Sequence, residues 1–152
     1  MFGMTAKIEN NFRRVKAASE KAAFRNLGHA SASLRKGVRG TLKPAPKDQR
    51  VSAKRSGGKI IRRARHAASP PGTPPFTGRG QRLKNAIVFA VAADGKSAVI
   101  GATANIVGGS AKPHELGGSY KGQEYPARPF MVPGLERAIP RFPSEWRGTI
   151  GE

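Results

Sequence analysis

Apolar residues recur three and four positions apart along the first third of the chain: Ile8, Phe12, Val15, Ala22 or Ala23, Leu27, Ala30 or Ser31, Leu34 and Val38. That spacing sets them on one face and predicts an amphipathic helix over residues 5–38. Thr5 is the expected N-cap. Gly28 costs about 1 kcal/mol relative to Ala and marks the expected point of a bend or break. Gly37 and Gly40, with Pro44 beyond, supply the stop. A helix of this length cannot bury its stripe alone; it needs a sheet or a neighbouring subunit.

The pattern then changes. Residues 43–82 are punctuated by Pro44, Pro46, Gly57, Gly58, Pro70, Pro71, Gly72, Pro74, Pro75, Gly78 and Gly80, with Val51, Ile60, Ile61 and Phe76 as isolated apolar positions. This predicts a long loop, of the kind that is functional or disordered, with a short helix or strand around residues 59–68. Next, Ile87, Phe89 and Val91 alternate with smaller residues. Asp94-Gly95 is a hairpin turn pair, and Val99-Ile100 return. Antiparallel strands are expected over 84–92 and 97–102. Residues 103–124 are glycine-rich, with one apolar turn at 111–116, and residues 125–131 are expected as a short strand. Pro133 suits a first helical turn; Leu135, Ile139, Phe142 and Trp146 follow at helical spacing, and Pro140 and Pro143 divide that helix near 140.

The expected fold is α+β: a long N-terminal helix and a C-terminal helix packed on a small antiparallel sheet, with a long basic Pro/Gly-rich loop. One domain spans 1–152, with the helix in 1–42, the loop or arm in 43–82, and the sheet and C-terminal helix in 83–152. The expected core is Leu83, Ile87, Phe89, Val91, Val99, Phe130, Leu135 and Ile139.

Charge adds a second theme. The net charge is +19, from 28 Lys and Arg against nine acids, and such a field favours polyanions or acidic partners. Twelve of the cations lie between Arg35 and Arg65, with Asp48 the one acid among them. In the basic arm, Arg50, Lys54, Arg55, Lys59, Arg62, Arg63 and Arg65 admit three readings: contacts to DNA phosphates, docking on an acidic partner ring, or a solvated loop. The arm has no interleaved aromatics for base stacking and no DNA-reading motif.

Catalytic chemistry finds little support. The chain has no cysteine, which excludes disulfides and thiol chemistry. His114-Glu115 lacks the second histidine four residues on that a zinc-protease helix requires; position 118 is Gly118. His29 and His66 have no ligand spacing to it. No phosphate-binding loop, nucleophile elbow or paired carboxylate is present. No enzyme activity, cofactor or metal is expected. No apolar run suits a signal peptide or a membrane span, so neither is expected.

Three segments together resemble the neck proteins of tailed bacteriophages, the head–tail joining and tail-completion family. The first runs from Thr77-Gly78-Arg79 through Leu83-Lys84-Asn85-Ala86-Ile87. It is similar to the family's Thr-Gly-basic run into a first strand, with Gly80-Gln81-Arg82 inserted and Ala86 where Ser is usual. The second, Ala111-Lys112-Pro113-His114-Glu115-Leu116-Gly117, is similar to an Ala-x-x-(aromatic or His)-Glu-(apolar)-Gly turn. The third, Pro129-Phe130-Met131-Val132-Pro133-Gly134-Leu135-Glu136, is similar to a Pro-Phe-apolar-x-Pro-Ala-Leu signature, with Gly134 replacing the usual Ala.

The resemblance implies a virion structural protein, assembled in the host cytoplasm. It implies a homo-oligomeric ring, six- or twelve-fold, that joins portal or connector to tail and leaves a passage for DNA. Its partners would be further copies of itself, portal and tail proteins and DNA backbone, with no membrane. Thr77, Gly78, Leu83, His114, Glu115, Gly117, Pro129, Phe130 and Pro133 would be its structural motif residues. The alternative reading is a basic nucleic-acid-binding structural protein of ribosomal or nucleoid type, which accounts for the charge better than for the motifs.

Overall fold

A computed structural model describes residues 2–47, 50–51, 54–62, 65–78 and 80–147; for residues 2–11, 50–51, 54–55, 59–62 and 65–66 it describes the backbone alone. The fold is α+β. Helix α1 runs unbroken over Phe2–Thr41, about 60 Å at 1.5 Å per residue. Thr5 therefore lies inside the helix rather than at its cap, and Gly28 does not interrupt it. Around position 28 the seam residues Asn26, Ala30 and Ser31 are buried, and that tertiary packing outweighs the propensity cost of one glycine.

The described residues of the basic segment include four short strands. Strands β1 (Arg50–Val51) and β4 (Arg65–His66) pair antiparallel, as do β2 (Lys54–Ser56) and β3 (Lys59–Arg62), around a turn at Gly57 and Gly58. These four short strands make one interrupted hairpin, and its register sets Lys54 opposite Arg62. Its two flanks are fastened to the body. Thr77 N–H donates to the Lys43 carbonyl and Gly72 N–H to that of Ala127. Leu42, Ala45, Ser69 and Thr77 are buried.

The central sheet is a hairpin of β5 (Ile87–Val91) and β6 (Ala98–Ala102), in register from Ile87↔Ala102 to Val91↔Ala98. The expected strand over 84–92 starts late because residues Arg82–Ala86 form a helical turn, α2. Asn85 N–H bonds the Gln81 carbonyl, and the ladder ends where Thr103 N–H reaches Ala86. Two short helices follow, α3 (Ala104–Val107) and α4 (Ala111–Leu116). A second hairpin joins β7 (Gly118–Tyr120) to β8 (Gln123–Tyr125). Its two-residue turn places Lys121 and Gly122 at φ of 52° and 73°, the doubly positive geometry that matches strand twist. The strand expected over 125–131 thus ends at Tyr125, since Pro126 and Pro129 have no amide to offer a ladder.

Helix α5 (Met131–Ala138) passes at Ile139 into a 3-10 segment that ends at Trp146, the division the prolines predict. Helix α1 lies across β5 and β6, and α5 lies along α1. Val38, Leu42, Ile87 and Phe130 form the core, with Leu34, Leu83, Ile100 and Met131 against it. Three expected core residues are exposed: Val99 at 75%, Ile139 at 50% and Leu135 at 38%. Val99 alternates to the sheet face opposite α1, and Leu135 and Ile139 each follow by one position a residue that faces α1, Gly134 and Ala138. Periodicity finds an apolar face without saying what covers it. No helix among the described residues is long and apolar enough to cross a membrane.

Candidate functional site

The second and third motifs meet in space. Helix α4 ends at Leu116, and Gly117 (φ 77°) and Gly118 (φ 114°) reverse the chain there, a conformation that L side chains resist. A Cβ on Gly117 would also stand 3.2 Å from the Ala127 nitrogen. This reversal brings Glu115 to the start of α5. Its Oε2 accepts hydrogen bonds from Phe130 N–H at 2.8 Å and Met131 N–H at 3.0 Å, and its Oε1 from Val132 N–H at 3.2 Å.

A helix opens with four amides that have no partner within it. Here one carboxylate takes three of them, and the fourth position is Pro133, which has no N–H. The negative charge also faces the positive end of the helix dipole. The glutamate of one motif and the Phe-x-x-Pro of the other therefore form a single device. It fixes Phe130, 1% exposed, in the core beside Val38 and Leu42. The Thr41 hydroxyl shares its hydrogen between the carbonyls of Val38 and Phe130, at 2.8 and 3.2 Å, and so ties the end of α1 to the same point.

His114 precedes the cap. Its carbonyl accepts Arg128 N–H at 2.6 Å. Its ring meets Tyr125 edge-on at 5.4 Å, and its Nδ1 is buried without a hydrogen-bond partner. Burial, then the neighbouring Arg128 charge, lowers its pKa, because both disfavour the imidazolium.

His114 also borders an open cleft of about 770 Å³ whose lining includes Thr77, Gly78 and Leu83 of the first motif. The first and second motifs thus meet at this cleft, and the Glu115 cap joins the second to the third. Leu83, Ile106 and Phe76 line it together with Arg82, Lys121 and Arg128, and no carboxylate lines it among the described residues. Arg82 donates to the Ile106 carbonyl and Arg128 Nε to that of Ser69, each at 2.7 Å, which holds both guanidiniums in place.

Thr77, Gly78, Leu83 and His114 therefore line one cleft, while Gly117, against Ala127, and Glu115, on the Phe130 amide, tie the second motif to the segment that carries Pro129, Phe130 and Pro133. Of the basic-arm residues, Arg50, Lys54, Arg55, Lys59, Arg62 and Arg65 fall on hairpin strands, whereas Arg63 lies outside the described residues, as does Arg79 of the first motif. Arg82, Lys121, Arg128 and Thr41 were not singled out by sequence reasoning. Arg128 adjoins Pro129 within the third motif's approach, but nothing in its spacing separates it from the other basic residues. Among the described residues no three His, Asp or Glu side chains gather as metal ligands do.

Comparison with protein-family models, curated proteins and solved structures finds no match to this chain.

Proposed function

We propose that this chain is a structural protein of a tailed-bacteriophage virion: a subunit of a homo-oligomeric neck ring that joins portal or connector to tail and leaves a passage for DNA. The observation that carries the reading is the Glu115 cap on Phe130, Met131 and Val132. Two motifs that resemble the neck family at separate places in the sequence are mechanically one, so their co-occurrence has a physical cause. Helix α1 supports the same reading. Residues 12–18 of it are all exposed, Phe12 and Val15 among them, as expected of a subunit whose helix packs on a neighbour. The role is mechanical and positional, without chemistry on a substrate.

The experiment is native mass spectrometry of the purified chain at rising salt, with duplex DNA, and with portal and tail proteins. Closed rings, or a complex with portal or tail components, are expected. A chain that stays monomeric under all these conditions while binding DNA with a steep salt dependence would overturn the ring reading in favour of a nucleic-acid-binding protein.

A further inference from the structure

Four cations converge where the end of α1 meets α2. Arg35, Lys36 and Arg39 come from α1 and Lys84 from α2, and with Ala32 and Gly40 they line an open cleft of about 450 Å³. This cleft shares no lining residue with the one beside His114. Arg35 and Arg39, four apart, fall on one face of the helix. Arg35 Nε donates to the Ile87 carbonyl at 2.8 Å, which fixes its guanidinium at the start of β5. Its two terminal nitrogens have no hydrogen bond among the described residues. Arg39 and Lys84 are half-buried and Lys36 is exposed. A Cβ on Gly40 would meet nothing within 4 Å, so that wall of the cleft borders open space.

The fold does not account for this cluster. Like charges four apart on a helix destabilise it, and Lys84 adds a further cation from a second element. Only Arg39 lies in the last turn of α1, where a cation complements the helix dipole. Among the described residues no carboxylate pairs with any of the four cations, and none lines the cleft. A cleft lined by one sign of charge concentrates its field on an incoming counter-charge. The lining also favours one kind of anion. Protein interfaces have an apolar, aromatic-rich centre, whereas no apolar side chain larger than that of Ala32 lines this cleft. Nucleic-acid interfaces are more polar and much more positively charged, and Arg forks and Lys ammoniums are suited to phosphate oxygens. An open cleft admits a continuous backbone, where a small free anion is better held by an enclosing pocket.

We propose that Arg35, Lys36, Arg39 and Lys84 form a seat for the phosphodiester backbone of duplex DNA. The contact positions the duplex without reading its sequence, because the cations meet phosphates and not base edges. The seat lies on the rigid end of α1 and on α2, apart from the cations of the basic hairpin. It goes beyond the neck reading and does not depend on it, since one subunit supplies all four side chains whether it stands alone or in a ring.

Two charge-matched variants of the full chain test it. K36Q/R39Q/K84Q empties the seat and keeps the Arg35 bond to Ile87. R13Q/K16Q/K21Q removes as many cations from exposed positions of α1 outside the cleft. Both should keep wild-type thermal unfolding. With a short mixed-sequence duplex, the slope of log K against log salt should fall in the seat variant by about 0.9 for each phosphate no longer neutralised. The control should keep the wild-type slope. Lys36→Glu changes the exposed member alone and should weaken duplex binding in the same direction, so the test stands even if the triple variant unfolds. Equal losses in both triple variants would overturn the seat in favour of net charge alone. Duplex binding that is absent in wild type, or unchanged in the seat variant and in Lys36→Glu, would also overturn it. Polyglutamate and inorganic phosphate are titrated in parallel. A seat variant that loses polyglutamate binding with its duplex slope intact would overturn the inference in favour of an acidic protein. Saturable binding of inorganic phosphate that leaves duplex affinity unchanged would overturn it in favour of a small free anion. Each of these outcomes leaves the ring reading to its own test by native mass spectrometry.

Discussion

Gly134 of α5 lies directly against Val38 of α1: a Cβ added to Gly134 would stand 2.6 Å from the Val38 Cα, and one added to Gly37 would stand 2.9 Å from the Gly134 carbonyl oxygen. The two helices cross backbone to backbone at this point. Gly134→Ala gains about 1 kcal/mol of helix propensity but forces the helices apart, an overpacking that costs about 1–3 kcal/mol. A net destabilisation of up to about 2 kcal/mol is expected in urea unfolding, toward the upper end because the close contact is with backbone. Wild-type stability would show that the crossing is looser than this distance implies.

Glu115→Ala leaves three amides at the start of α5 without their acceptor. A loss of about 2 kcal/mol is expected, at the upper end for a helix cap because one carboxylate serves several donors. Glu115→Gln retains one acceptor oxygen and should lose about half as much. Hydrogen exchange at Phe130, Met131 and Val132 should accelerate in both variants before any change at β5. Unchanged exchange there would count against the cap.

Phe130 is the largest fully buried side chain among the described residues. Phe130→Ala should cost about 3–5 kcal/mol by cavity formation, read as a lower urea midpoint.

His114 makes stability depend on pH. Its folded-state pKa lies below the ordinary value of 6.5. Above that value the imidazole is neutral in the folded and unfolded chain alike and has no effect. As pH falls through 6.5 the unfolded chain takes up a proton that the folded chain does not, so stability falls. The loss levels off once folded His114 is protonated too. His114→Gln should flatten the curve in this window relative to wild type, measured as unfolding midpoint against pH. Parallel curves would assign the dependence to other groups.

The basic hairpin should govern association with polyanions. Replacing Arg50, Lys54, Arg55, Lys59, Arg62 and Arg65 with Ser should reduce the slope of log K against log salt for duplex DNA by about 0.9 for each phosphate that the hairpin no longer neutralises. Binding to portal and tail proteins should fall instead if the hairpin docks on an acidic ring. Titrations of the same variant against both partners separate these outcomes.

Much of the local structure was legible in the residues. The period of α1, the Asp94-Gly95 hairpin, the proline division near residue 140 and the positive-φ pair Gly117-Gly118 are short-range consequences of backbone sterics and hydrophobic spacing. The Lys121-Gly122 hairpin escaped notice because only one glycine marks it, and the positive φ at Lys121 is imposed by the strands it joins. The late start of β5 likewise depends on where Ala102 finds its last partner, not on the apolar run itself.

By itself, then, the sequence determined the elements, the α+β class, the charge and the three motif segments. Tertiary structure decided what those segments do together. That Glu115 caps the helix opened by Phe130, that Gly134 is needed where α5 meets Val38, and that Val99 faces outward are relations between residues far apart in the chain. Periodicity reports that a position is apolar or that a turn is permitted. Which surface it meets depends on how rigid elements pack against one another, a property of the assembled chain rather than of any one segment.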